Sequence, residues 1–137
     1  MRAVVMRNQQ LVVDSIPDPT PAPGQIVVKT LACGICGSDL HALKFADRMV
    51  DTARRSGLPA FMDPARDIVM GHEFCAEVVD SVVGGLAAGT RVCSMPIAFD
   101  ASGIKTIGYS NDLPGGYGEY MVLNEMLLLP VPNGLAT

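Results

Sequence analysis

Gln25-Ile26-Val27-Val28-Lys29-Thr30-Leu31-Ala32-Cys33-Gly34-Ile35-Cys36-Gly37-Ser38-Asp39-Leu40-His41 carries the chain from a strand into its densest cluster of chemistry-bearing side chains. Ile26, Val28 and Thr30 share one face of an extended segment, with Val27, Lys29 and Leu31 on the other. That period-two alternation predicts a strand from Gln25 to Ala32. Gly34 and Gly37 break it. Ser38 and Asp39 offer capping side chains, so a short helix through Leu40, Ala42 and Leu43 should follow.

Working outward, Ala3 to Met6 and Leu11 to Asp14 read as two short strands joined by Arg7-Asn8-Gln9-Gln10. Pro17, Pro19, Pro21 and Pro23 forbid helix and impose loop-like chain up to Gly24. From Phe45 to Ser56 a second helix is expected. Phe45, Met49 and Ala53 would form its apolar face, Asp51 would pair with Arg55, and Gly57 would stop it. Pro59 and Pro64 mark irregular chain. Phe74 to Val83 reads as the longest strand, closed by Gly84-Gly85, and Arg91 to Ser94 as another. Asp100 to Gly116 is turn-rich and reads as loop, while Gly118 to Leu123 and Met126 to Leu129 complete the strands. Short strands with Gly and Pro punctuation and little helix predict a mainly β fold, a small barrel or sandwich.

With 137 residues the chain suffices for one domain with its own core and is too short for two full-sized ones. The formal charge of -4 gives no basic face for nucleic acid. Arg48, Arg54, Arg55 and Arg66 are interleaved with Asp47, Asp51, Asp63 and Asp67, a solvated mixed surface. No segment approaches the ~20 apolar residues that cross a bilayer, and the N-terminus lacks a signal peptide's apolar stretch. A cytoplasmic protein with free thiols, no membrane and no nucleic-acid partner is the expectation.

The two histidines of the chain each sit beside a thiol or a carboxylate: His41 ends the quoted run, and His72 lies in Gly71-His72-Glu73-Phe74. Thiolate, imidazole and carboxylate are zinc's ligand types, and a catalytic zinc has three protein ligands and an open position. Cys36 and His72 are the strongest candidates. Glu73 can serve as ligand or as a neighbouring carboxylate, and Asp39 can accept the other ring N–H of His72 and fix its tautomer. Ser38 and His41 offer a hydroxyl and an imidazole for moving a proton out of such a site, though Ser38 also suits a helix cap. Cys33 and Cys36 form a lone C-x-x-C, open to redox or zinc-knuckle readings. Without a second close pair or a βαβ setting, Cys33 reads as a packing residue near the site. Cys75 and Cys93, in apolar strands, read as core thiols.

Cys36-Gly37-Ser38-Asp39-Leu40-His41 followed by Gly71-His72-Glu73 resembles the catalytic-zinc signature of the zinc-dependent medium-chain alcohol dehydrogenases. Pro23-Gly24-Gln25-Ile26-Val27-Val28-Lys29 is similar to the turn and strand that precede it in that family. Gly89-Thr90-Arg91-Val92 resembles the family's glycine turn, with Thr90 where Asp is usual. Gly115-Gly116-Tyr117-Gly118-Glu119-Tyr120 resembles its later glycine-aromatic-Glu-Tyr segment. The resemblance implies an N-terminal catalytic domain with the GroES-like β-barrel fold and short helices. It implies Cys36 and His72 as zinc ligands, Glu73 as a neighbouring or exchanging carboxylate, Ser38 and His41 as the proton relay, and Asp39 as the partner of His72. It further implies zinc and NAD or NADP as cofactors, a small alcohol or aldehyde as substrate, and a homo-oligomeric complete enzyme.

Three departures from that family stand out. Ser94 to Gly116 lacks the four cysteines of its structural-zinc loop, so no structural zinc is expected. The stretch between His41 and Gly71 is longer than usual and either lines the substrate entrance or forms a surface insertion. No G-x-G-x-x-G follows a strand, so no Rossmann cofactor domain is expected within residues 1–137, which alone should bind zinc weakly and not turn over substrate. Two alternatives remain at this point: a zinc-independent quinone or enoyl reductase of the same superfamily, and a non-enzymatic GroES-like binding module.

Overall fold

The computed structural model describes residues 1–58, 61–80, 85–132 and 134–137. Along these the chain forms β1 (Arg2–Arg7), β2 (Gln10–Ser15), β3 (Gln25–Cys33), α1 (Gly37–Arg55), β4 (Ile68–Val69), β5 (Phe74–Val78), β6 (Arg91–Ser94), β7 (Ile97–Asp100), β8 (Gly103–Thr106), β9 (Tyr120–Asn124), a 3-10 turn (Glu125–Leu127) and β10 (Leu128–Pro130). The fold is mainly β, as the punctuation by Gly and Pro requires.

The first hairpin closes at Arg7 opposite Gln10. Asn8 and Gln9 take φ of 50° and 59°, the left-handed pair of a two-residue turn whose twist matches that of the strands. β1 also pairs with β4, making a three-stranded sheet. The larger sheet runs β10-β6-β5-β3-β9, antiparallel throughout. The chain just before β9 joins the two sheets. Val4 N–H donates to Tyr117 O and Glu119 N–H to Arg2 O, while Thr30 N–H donates to Glu119 O. This seam gives the molecule its barrel character and fixes where Tyr117 lies.

Ile26 and Val28 are buried, while Val27, Lys29 and Leu31 lie on the more exposed side, so β3 keeps the expected alternation. Val28, Ala76, Val78, Val92, Met121 and Leu123 close the main core, each large side chain contributing roughly 1.5–3 kcal/mol. A second core lies under α1, where Ala42 and Ala46 pack with Met6, Met62, Ile68, Met70 and Tyr109. The long stretch between His41 and Gly71 therefore does more than decorate the surface.

Several elements differ from the sequence expectation. The two expected helices are one element bent at Phe45, whose φ of -137° and ψ of 36° leave the helical region. The bend turns Phe45 outward to 48 % exposure, so Ala42, Ala46 and Ala53 form the buried face instead of Phe45, Met49 and Ala53. Cys36 takes the cap position, and Asp39 reaches back from the first turn to accept from the Cys36 N–H. The stop at Gly57 (φ 79°) is as expected: Gly57 N–H bonds to Arg54 O and Leu58 N–H to Ala53 O, the left-handed glycine cap. Asp51 and Arg55 also pair, 3.8 Å apart on the exposed face.

β5 ends at Val78, and Pro59, Val83 and Gly84 lie outside the described residues. Ile97 to Thr106 forms a hairpin where loop is expected from Asp100, because Asp100, Ser102 and Gly103 belong to its tight turn. Met126 lies in the 3-10 turn ahead of β10. Cys75 and Cys93 are only partly buried.

Candidate metal centre

The end of β3 and the start of β5 are neighbours in one sheet, with Cys33 opposite Phe74. The chain leaves β3 towards Cys36 and enters β5 through His72 and Glu73, so the two sequence motifs meet at one end of the sheet. Gly34 N–H donates to Glu73 O at 2.7 Å. A side chain at Gly34 would collide with the Glu73 carboxylate, since an added Cβ would lie 2.8 Å from Oε2.

One ligand atom each from Cys36, His72 and Glu73 lies within 4.8 Å of the others. Among the described residues this is the one group of three or more such side chains so placed. Ligands around a tetrahedral zinc with bonds of ~2.0–2.3 Å are about 3.5 Å apart, so the cluster needs only a modest inward closure. Sulfur, imidazole nitrogen and carboxylate oxygen suit zinc, and the set leaves a fourth position for water or substrate. His72 Nδ1 adds an observation of its own. It is buried and lies 3.3 Å from Asp39 Oδ1, but too poorly aligned for a hydrogen bond, so it has no partner among the described residues. Nε2 lies 3.4 Å from Ser38 Oγ. The imidazole is thus presented with Nδ1 towards a carboxylate and Nε2 available, the arrangement a metal-ligating histidine requires.

Asp39 is 2 % exposed. Its Oδ2 accepts from Cys36 N–H at 3.0 Å and from Tyr117 O–H at 2.9 Å. Its Oδ1 accepts from Tyr109 O–H at 3.2 Å and faces His72. Burial is the main force pushing the Tyr109 phenol up to about 12, aided by the Asp39 charge and opposed by a hydrogen bond with Ser38. Burial, then the bond to Asp39, likewise pushes the Tyr117 phenol up. Both therefore stay neutral donors near neutral pH. The Tyr109 ring also tilts against the His72 ring, with centroids 5.3 Å apart.

Gly115, Gly116 and Tyr117 are strapped to Val69, Gly71 and Met70 by backbone bonds of 2.8, 2.8 and 3.0 Å. Gly71, at φ 95°, permits this approach: an added Cβ would lie 2.7 Å from the Tyr117 ring and 2.8 Å from Cys33 Sγ. Cys33 packs there outside the cluster of three, and burial pushes its thiol up. His41 is exposed, and its ring packs on Phe45 with centroids 4.9 Å apart. No hydrogen bond joins it to Ser38 among the described residues. An apolar cavity of about 340 Å³ is lined by Cys33, Ile35, Leu40 and Tyr117 and reaches Asp39. A larger one of about 690 Å³ lies at the far end of α1, beside Arg54 and Phe61, away from this chemistry.

No sequence motif assigns a role to Tyr109 or Tyr117. Tyr117 lies in the glycine-rich segment already singled out, and two of the chain's three tyrosines meet at one carboxylate. Tyr109 has no motif around it.

The family model for the alcohol dehydrogenase GroES-like domain matches residues 22–133. The chain belongs to that family. It is 32% identical over 99% of its length to (R,R)-butanediol dehydrogenase of Bacillus subtilis, covering 42% of that protein. It is 28% identical over 97% of its length to L-threonine 3-dehydrogenase of Xanthomonas oryzae, covering 40% of that protein. The crystal structure of 2R,3R-butanediol dehydrogenase from Bacillus subtilis superposes with a TM-score of 0.74 at 28% identity, over 98% of this chain and 41% of that one. The chain thus spans about two fifths of the length of these relatives. No described helix is long and apolar enough to cross a membrane.

Proposed function

We propose that this chain is the catalytic, zinc-binding domain of an NAD(P)-linked alcohol or polyol dehydrogenase, with residues 1–137 as one GroES-like unit that works with a separate dinucleotide-binding domain. The observation that carries this reading is the convergence of Cys36, His72 and Glu73 within 4.8 Å. The family match and the dehydrogenase relatives support it. Cys36 Sγ and His72 Nε2 hold the metal, and Glu73 is a third or exchanging ligand. When bound, zinc supplies a Lewis acid that polarises the substrate oxygen.

The chain's own residues supply orientation and a proton path. Oxidation of an alcohol removes a hydride, taken by the nicotinamide ring, and a proton, which has to leave the site. Ser38 Oγ lies 3.4 Å from His72 Nε2 and would accept that proton while passing its own hydroxyl proton on. His41, one turn further along α1 and exposed, is the next acceptor towards solvent. Asp39 faces Nδ1 of His72 and favours the proton there, leaving Nε2 for the metal. A small hydroxyl-bearing substrate is the matching class, and the cytoplasm is the setting.

Metal analysis of the protein and of its Cys36→Ser and His72→Ala variants is the test. The reading expects about one zinc per chain in the parent and its loss in both variants. Full zinc content in both variants contradicts the site, and a parent without zinc favours the zinc-independent reductase.

A further inference from the structure

Asp39 touches both halves of the cluster. One of its oxygens accepts from the backbone of Cys36, and the other faces the ring of His72. We propose that Tyr109 and Tyr117 are positioning residues of the metal centre, their phenol O–H groups clamping the two oxygens of Asp39 so that one buried carboxylate sets both Cys36 and His72. This rests on the metal-centre reading above.

A carboxylate offers about four lone-pair sites. Here Oδ2 takes the Cys36 N–H and the Tyr117 O–H, while Oδ1 takes the Tyr109 O–H and leaves a site towards His72 Nδ1. With only the Cys36 N–H present, the carboxylate would be free to pivot about that bond. Tyr117 removes the pivot at Oδ2, and Tyr109 fixes the plane at Oδ1. Each is a hydrogen bond from a phenol to a carboxylate oxygen, an acceptor whose bonds are roughly twice as strong when it is ionised.

The two phenols arrive from different parts of the fold. Tyr117 belongs to the seam that joins β1 to β3 through backbone bonds. Tyr109 is stacked on Phe61, with ring centroids 5.6 Å apart and planes at 23°. Phe61 comes from the long stretch between His41 and Gly71. The clamp thus ties the metal cluster to the barrel seam on one side and to that stretch on the other. Neither phenol is among the residues placed to touch substrate, so both act through Asp39.

Zinc affinity, measured by competition with a chromophoric chelator, and the visible spectrum of the cobalt-substituted protein test this. Tyr109→Phe and Tyr117→Phe keep the rings and remove only the hydroxyls. Each should weaken zinc binding about tenfold, the lower end for partners of a ligating histidine, and shift the cobalt bands. In an Asp39→Asn background the same changes should add little, because the clamped group is already altered. Wild-type affinity and spectra in both variants overturn the clamp, as do equal losses with and without Asp39→Asn, which mark a merely structural effect. Should one Phe variant fail to fold by circular dichroism, the other decides. A parent protein that binds no zinc overturns both the clamp and the metal-centre reading. A parent that binds zinc through Cys36, with both Phe variants unaffected, overturns the clamp alone.

Discussion

Replacing Asp39 by Asn changes one atom and should damage the metal site by one of two routes. The amide can place its oxygen where Oδ2 was, keeping the Cys36 N–H at 3.0 Å and the Tyr117 O–H at 2.9 Å. Its NH2 group then faces Tyr109 and His72 Nδ1. The Tyr109 hydroxyl can rotate to accept, but Nδ1 can accept only if the ring proton moves to Nε2, the nitrogen proposed to hold the metal. In the opposite orientation the NH2 group confronts the Cys36 N–H, which cannot reverse. An unsatisfied buried donor costs about 1–3 kcal/mol, and here it loosens Cys36, the proposed thiolate ligand. Either route predicts zinc affinity about 10–100-fold lower, roughly 1.4–2.7 kcal/mol, with the fold retained. Chelator competition reads the affinity, and nitrogen-15 NMR of the His72 ring reads the tautomer. Unchanged affinity with an unprotonated Nε2 would refute the reasoning.

Three further outcomes are expected. Gly71→Ala places a Cβ 2.7 Å from the Tyr117 ring at a backbone φ of 95°; left-handed strain and overpacking together should cost about 3 kcal/mol, read as a lower urea midpoint. Met121→Ala empties a fully buried position in the main core and should cost about 2–5 kcal/mol in the same assay, with no change in the metal ligands. Asp100 is held from 3.8 down to about 2, chiefly by its hydrogen bonds with Ser102 and then by Lys105. A lowered folded value means that its contribution to the β7–β8 hairpin is full above pH 3.8 and is lost as pH falls towards 2. An NMR titration should find its midpoint near 2, and Ser102→Ala should raise it.

The residues that announce themselves in the sequence are those whose role is local. The alternation of Ile26 and Val28, the left-handed stop at Gly57, the Asp51–Arg55 pair and the turn at Asn8-Gln9 each depend on neighbours a few positions away, and each is legible. The run from Cys36 to His41 and the pair His72-Glu73 were legible as chemistry because few other residues of the chain combine those donor types. What escaped reading depends on contacts across the fold. Phe45 is spaced for an apolar face, yet the break in α1 that frees Ala46 to enter the core turns it out. The β7–β8 hairpin hides among turn residues because Asp100, Ser102 and Gly103 belong to its turn. Tyr109 and Tyr117 lie 70 and 78 positions from Asp39, and no local pattern links either phenol to that carboxylate.

X-ray absorption at the zinc edge of the loaded protein addresses the donor set itself. The account predicts one sulfur scatterer at about 2.3 Å, with imidazole nitrogen and light-atom oxygen at ~2.0–2.2 Å. A spectrum without sulfur in the zinc shell of the parent would contradict the account.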